Sequence, residues 1–159
     1  MTATTAKEIH LTLQPDTVER PEMHYVYIEK VGSIPANAPQ AWNTMHALVP
    51  AIAANNQVTG YMSLYCMERG IYRAGVSVAS EPKQLPEGVQ YEKARGGKYS
   101  RFVLTGSYSQ LPEATGLALA RARELELPLR ADYNVENYAN DPRVTPEDQL
   151  ITEILFPVK

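Results

Sequence analysis

A chain of 159 residues, 44% of them hydrophobic and 21% charged, can bury one sizeable core and is too ordinary in composition for a disordered or fibrous protein. Its 18 acidic and 15 basic residues are scattered, and the net charge of -3 leaves no basic face for nucleic acid. The single cysteine, Cys66, cannot close an internal disulfide, and no leader-like or bilayer-spanning apolar run occurs, so a cytoplasmic, membrane-free protein is expected.

From Glu8 to Leu13 apolar and polar residues alternate, which predicts a short strand before the breaker at Pro15. HYVYIEKVG is a clearer strand, and after a turn at GSIPANAP the segment QAWNTMHALVPAIAA carries Trp42, Met45, Val49 and Ile52 at helical spacing. Pro39 suits the first turn of that helix, and Pro50 predicts a kink or an early end. VTGYMSLYCM and IYRAGVSVA read as two strands joined by a turn at Glu68 to Gly70, followed by the Pro-rich linker SEPKQLPEG. VQYEKA and GGKYSRFVLTGSY are the next strands, and SQLPEATGLALARARELEL is a second helix capped at Ser109 or Gln110. Arg130 to Tyr138 resumes strand alternation, NDPRVTPED is turn chemistry, and QLITEILFPV is a last strand ended by Pro157.

Laying HYVYIEKVGSIP on KYSRFVLTGSYS matches Tyr25 with Tyr99, Ile28 with Phe102, Gly32 with Gly106 and Ser33 with Ser107. The element order then repeats. The expectation is a single α+β domain over residues 1–159, made of two pseudo-repeated β-α-β-β units at about 5–80 and 88–159. They would form an antiparallel sheet with the helices on one face and a ligand cleft between the halves.

Strand parity sorts the side chains, because successive residues point to opposite faces. It assigns Val26, Ile28, Met62, Leu64, Cys66, Phe102 and Leu104 to the helix side. Tyr25, Tyr27, Tyr61, Ser63, Tyr65, Tyr99 and Arg101 then fall on a polar, aromatic face, and Glu136 joins them with Asn134 and Tyr138. Ten tyrosines against two phenylalanines favour rings that are apolar on their faces and hydrogen-bonding at their tips. A carboxylate enclosed by such rings attracts cations, and burial raises its pKa into the range of a general acid or base. Trp42 falls on the helix stripe with Met45 and Val49, where packing alone would explain it, and Cys66 reads as a small hydrophobe. The three histidines lie far apart, and no P-loop, G-x-S-x-G, H-E-x-x-H or G-x-G-x-x-G motif occurs, so no metal or cofactor is expected.

The segments YRAGVSV, LPEGVQYEKARGGKYSRFVLTGSYSQLPEA and NVENYANDPRVTPEDQLITEILFPVK resemble the GyrI-like small-molecule-binding family. That family includes the effector-binding domains of AraC-type and MerR-type bacterial regulators as well as stand-alone proteins. The resemblance covers almost the whole chain and implies two β-α-β-β units flanking a ligand cleft. It puts the acidic ligand contact on Glu136 and aromatic contacts on Tyr65 and Tyr138, with Tyr61, Tyr27 and Trp42 as further lining candidates. The function it implies is binding of hydrophobic small molecules, aromatic or cationic ones among them. Some relatives of this type are hydrolases of strained, cyclopropane-containing electrophiles, a reading in which Glu136 is the general base and Tyr65 its catalytic partner. A gyrase-inhibitor-like protein-interaction role is a third alternative. A protein partner or a homodimer fits the resemblance, whereas transcription control would need a separate protein, since no helix-turn-helix is read here.

Overall fold

The alternating segments become strands and the two apolar-periodic segments become helices in the computed structural model, which describes residues 8–159. The strands are β1 (His10–Leu11), β2 (Asp16–Arg20), β3 (Met23–Val31), β4 (Val58–Cys66), β5 (Ile71–Val78), β6 (Gln90–Ala94), β7 (Gly97–Thr105), β8 (Asn134–Tyr138) and β9 (Ile151–Pro157). The helices are α1 (Ile34–Ala53) and α2 (Leu111–Glu124), with short 3-10 turns at Tyr108–Gln110 and Glu147–Gln149. Residues 5–7, the start of the expected first repeat, lie outside the described residues.

All nine strands join one antiparallel sheet in the order β1-β7-β9-β8-β4-β5-β3-β6, with β2 also paired to β7. The two halves are therefore β3-β5-β4 and β7-β9-β8, and they meet where β4 pairs with β8. Register carries the sequence repeat through the sheet. Ile28 pairs with Ala74 and Phe102 with Ile154; Ala74 then pairs with Ser63, and Ile154 with Glu136. Ser63 and Glu136 are thus equivalent positions, and they pair with each other across the junction. A pseudo-twofold axis passes between them. The edge strands are exchanged: β2 precedes the first half but pairs with β7, whereas β6 precedes the second half but pairs with β3.

The Gly-Ser pairs of the repeat have the same job in both halves. Gly32 and Gly106 adopt φ of +125° and +146°, conformations that favour glycine. Their amides donate to the carbonyls of Gly70 and Leu150 at 2.8 Å, and Ser33 and Ser107 then start the helical segments. Ser107 Oγ accepts from the Ser109 amide, while Gln110, at the start of α2, makes no side-chain cap bond. Helix α1 begins before the expected start, with Pro35 in its first turn and both Pro39 and Pro50 inside it. Each proline removes one backbone bond, and burial of Ala41, Met45 and Ile52 against the sheet offsets the loss. Strand β2 was not anticipated, because five residues of DTVER carry one apolar side chain and show no alternation to read.

Strand β4 corrects the parity expectation. Ser63 pairs with Ala74 and Tyr65 with Tyr72, so Tyr61, Ser63 and Tyr65 share the helix-side face with Val26 and Val76. Met62 and Leu64 turn the other way and pack with Tyr25, Tyr27, Tyr99, Val135 and Leu155. The rule failed for a physical reason: the middle of this sheet is covered on both faces, and every residue of β5 is buried. An apolar side chain there does not identify the helix side. The tyrosines accordingly split into two groups, one beneath the helices and one behind the sheet. Behind it, Tyr25 and Tyr27 stack at 5.3 Å, and the Arg73 guanidinium sits over Tyr27 at 4.3 Å and over Tyr133 at 4.6 Å.

Gly75 is the tightest point of this rear packing. A Cβ there would lie 2.4 Å from the Val26 carbonyl oxygen and 2.7 Å from Tyr25 Cζ, and Tyr25 is itself held by donation to the Met62 carbonyl at 2.9 Å. Gly75→Ala should lower the unfolding free energy by about 2–3 kcal/mol, by overpacking. Gly116→Ala, on α2 with open space around its Cα, should raise it by about 0.5–1 kcal/mol. Urea denaturation of both variants checks the contrast.

Candidate functional site

On the helix side, the β4–β8 junction lies between helix α1, which packs on β3 and β5, and helix α2, which packs on β7. In register, Tyr61 lies opposite Tyr138, Ser63 opposite Glu136 and Tyr65 opposite Asn134. Trp42 reaches the junction from α1, its position set by the apolar stripe that buries Ala41 and Met45. Thr115, buried on α2, and Tyr108, in the turn before that helix, come from the second half. The rings pack on one another: Trp42 meets Tyr138 edge-on at 5.4 Å, stacks near Tyr61 at 6.4 Å and tilts against His46 at 5.2 Å. Tyr108 meets Tyr138 at 5.3 Å.

A chain of hydrogen bonds runs along this junction. Trp42 Nε1 donates to Ser63 Oγ and to the Tyr72 hydroxyl, both at 2.9 Å. Ser63 Oγ is 2.7 Å from the Tyr72 hydroxyl and 2.6 Å from that of Tyr138, which donates to Glu136 Oε1 at 3.0 Å. An ionised carboxylate only accepts, which orders every proton in the chain. Tyr138 gives its proton to Glu136, Ser63 gives its own to Tyr138, and Tyr72 gives its own to Ser63. All donors then point toward one carboxylate, each bond polarising the next.

Burial grades across this group of side chains. Ser63, Tyr65 and Tyr72 are buried, Glu136, Tyr138, Tyr61, Trp42 and Tyr108 are half-buried, and His46 is exposed at the rim. Of the four buried side-chain polar atoms without a hydrogen-bond partner among the described residues, three belong to this side of the sheet: the hydroxyls of Tyr65, Thr115 and Thr152. Burying a hydroxyl without a partner costs free energy, and Thr115 lies near both Tyr65 and Glu136.

Burial pushes the Glu136 carboxyl up from 4.5 to about 7, against the hydroxyls of Tyr138 and Thr115, of which Tyr138 alone is in hydrogen-bonding geometry. The phenols of Tyr65, Tyr72 and Tyr138 are raised, first by burial and then by the charge of Glu136. They remain protonated donors. Glu136, in contrast, changes charge near neutral pH.

Of the residues singled out in the sequence, Glu136, Tyr138, Tyr65, Tyr61 and Trp42 come together here. Tyr27 does not: it lies behind the sheet, 4% exposed, beneath Arg73. Ser63, Tyr72, Thr115, His46 and Tyr108 join the site without having been chosen as candidates. For Tyr72 a signal existed, because the hairpin turn at 67–70 sets Tyr72 opposite Tyr65. Nothing local marks Thr115. Among the described residues no three His, Cys, Asp or Glu side chains converge, and no helix is long and apolar enough to cross a membrane.

The profile of the GyrI-like small molecule binding domain matches residues 13–159, and the chain belongs to that family. Solved structures share its fold at low identity. The C-terminal domain of EcmrR is 16% identical with a TM-score of 0.76, over 92% of this chain and 97% of that one. SAV2435 bound to tetraphenylphosphonium is 13% identical with a TM-score of 0.69, over 92% of this chain and 94% of that one. A hydrolase from Listeria innocua is 12% identical with a TM-score of 0.60, over 92% of each chain. No curated protein matches the chain.

The raised pKa of Glu136 has a consequence for stability. Its folded value, about 7, exceeds the ordinary 4.5, so the folded state loses stability as pH rises through that window, by at most about 3 kcal/mol. Below 4.5 the carboxyl is neutral in both states and nothing is lost. Glu136→Gln should therefore be more stable than the wild type at pH 8 and nearly equal to it at pH 4. Thermal unfolding at the two pH values reads the difference.

Proposed function

We propose that a cleft between α1 and α2 binds hydrophobic small molecules, cationic ones among them, on the rings of Trp42, Tyr61 and Tyr138 around the Glu136 carboxylate. The observation that carries this reading is the carboxylate itself, half-buried beside the pseudo-twofold axis with no cationic side chain bonded to it among the described residues. Aromatic faces and a single negative charge are the complement of a delocalised organic cation. The hydroxyls of Tyr65 and Thr115 lie buried near the carboxylate. Binding of tetraphenylphosphonium by the structural relative SAV2435 supports the same ligand chemistry.

A hydrolytic reading is supported by the burial of Glu136, which raises its carboxyl to about 7, where a carboxylate serves as a general base. In that reading Glu136 takes a proton from water as the water oxygen bonds to an electrophilic carbon of a strained ring. The ring bond breaks, and its electron pair takes a proton from the Tyr65 hydroxyl, which burial and the nearby charge keep protonated. Proton return from Glu136 to Tyr65 then completes the cycle. A relative described as a hydrolase supports this alternative.

Calorimetry with tetraphenylphosphonium tests the binding reading. Its affinity should fall by about 1–3 kcal/mol in Glu136→Gln. In the wild type it should weaken as pH drops below 7, because protonation removes the charge the cation needs. Unchanged affinity in the variant and a flat pH profile would remove Glu136 from the site. Turnover of a cyclopropane-containing electrophile by the wild type, abolished by Glu136→Gln, would establish hydrolysis in place of simple capture.

A further inference from the structure

A cavity of about 120 Å³ lies behind the sheet on the face away from the helices. Its floor is the rear of the β4–β8 junction, formed by Met62, Leu64 and Val135, with Tyr99 and Tyr133 beside them. Its walls are the ends of the exchanged strands β2 and β6 with the short connections that follow them, at residues 20–23 and 92–95. These walls are locked together at Gly96, where a Cβ would lie 2.5 Å from the Arg20 carbonyl oxygen and 2.7 Å from the Glu22 amide nitrogen.

The other charged residues around this cavity have partners. Glu92 is held by Arg73 and Asp132 by Arg130, Lys93 lies 3.9 Å from Glu22, and Arg95 lies 3.9 Å from Asp132. Arg20 is the exception. Its Nη2 rests on the thioether sulfurs of Met62 at 3.6 Å and Met23 at 3.8 Å, and no carboxylate stands within ion-pairing distance of it among the described residues. Thioethers are weak acceptors, so most of the guanidinium's donor capacity is unused in a partly desolvated place. Burial accordingly lowers the Arg20 pKa, with the more distant Glu153 and Tyr99 opposing.

We infer that this rear cavity binds a small monocarboxylate with an apolar body, its two oxygens paired with the Arg20 guanidinium and its hydrocarbon or ring seated on Met62, Leu64 and Val135. The planar fork of a guanidinium matches a carboxylate in a bidentate pair. An apolar floor favours an organic acid over inorganic phosphate, which is more strongly hydrated and would meet Glu92 and Asp132 with a larger charge. The site is separated from Glu136 by the sheet itself, and the inference does not rest on the function proposed for the helix side.

Titration of the full chain with benzoate, followed by amide NMR, tests it. Benzoate should shift the amides of residues 18–23, 62–64 and 92–95 saturably, whereas benzamide, of the same shape without the charge, and inorganic phosphate should shift them weakly or not at all. Arg20→Met, which retains the apolar cover, should weaken benzoate by at least about tenfold, and Arg20→Lys, which keeps the charge without the fork, by severalfold. Equal binding of benzamide or phosphate, undiminished benzoate binding by folded Arg20→Met, or shifts confined to the surroundings of Glu136 would each overturn the proposal. If Arg20→Met does not fold, the benzoate and benzamide comparison in the wild type, together with Arg20→Lys, still decides it.

Discussion

The pairing of Ser63 with Glu136 at the β4–β8 junction is the constraint around which the site is organised. These are equivalent positions of two similar halves, yet one carries a hydroxyl and the other a carboxyl. A pair of carboxylates there would repel, and a pair of serines would leave the site without charge. The difference between the halves therefore creates a site with one acid and a row of donors aimed at it. Trp42, Tyr72, Ser63 and Tyr138 hold each other's polar tips in place, and the apolar parts of Trp42, Tyr61, Tyr108 and Tyr138 pack on one another.

The same junction explains why the sheet has two unlike faces at its centre. On the helix side the residues are hydroxylic and aromatic; on the rear they are Met62, Leu64, Val135 and Leu155. The exchanged strands β2 and β6 and their connections cover that rear face, so the apolar residues are not left in water. Exchange also ties the halves together, because each edge strand is bonded to the half it does not precede. Membership of a small-molecule-binding family is consistent with a scaffold in which a doubly covered sheet presents aromatic side chains between two helices.

Much of this architecture was legible in local patterns. Alternation found eight of the nine strands near their observed places, all but β2, and the matched Gly-Ser pairs predicted the duplication, because a glycine with positive φ before a helix start leaves a visible mark. The shared face of Glu136, Asn134 and Tyr138 was also legible, because alternate residues of one strand point the same way. Helix α1 was read too short, since its two internal prolines argue locally for breaks that packing against the sheet overrides.

What the sequence by itself determined was the set of elements, their duplication and the presence of an acid among tyrosines. Which tyrosines share a face with that acid was decided only by tertiary structure. Parity says that Tyr65 and Leu64 point in opposite directions, but not which direction leads to the helices when both faces are buried. Strand order settled that question by setting Ser63 between Ala74 and Glu136. It sent Tyr27 and Arg73 to the rear, and it brought Thr115, far away in the chain, into the site. Side-chain alternation is a property of a single strand, whereas a site is a property of the strands and helices that come to lie beside it.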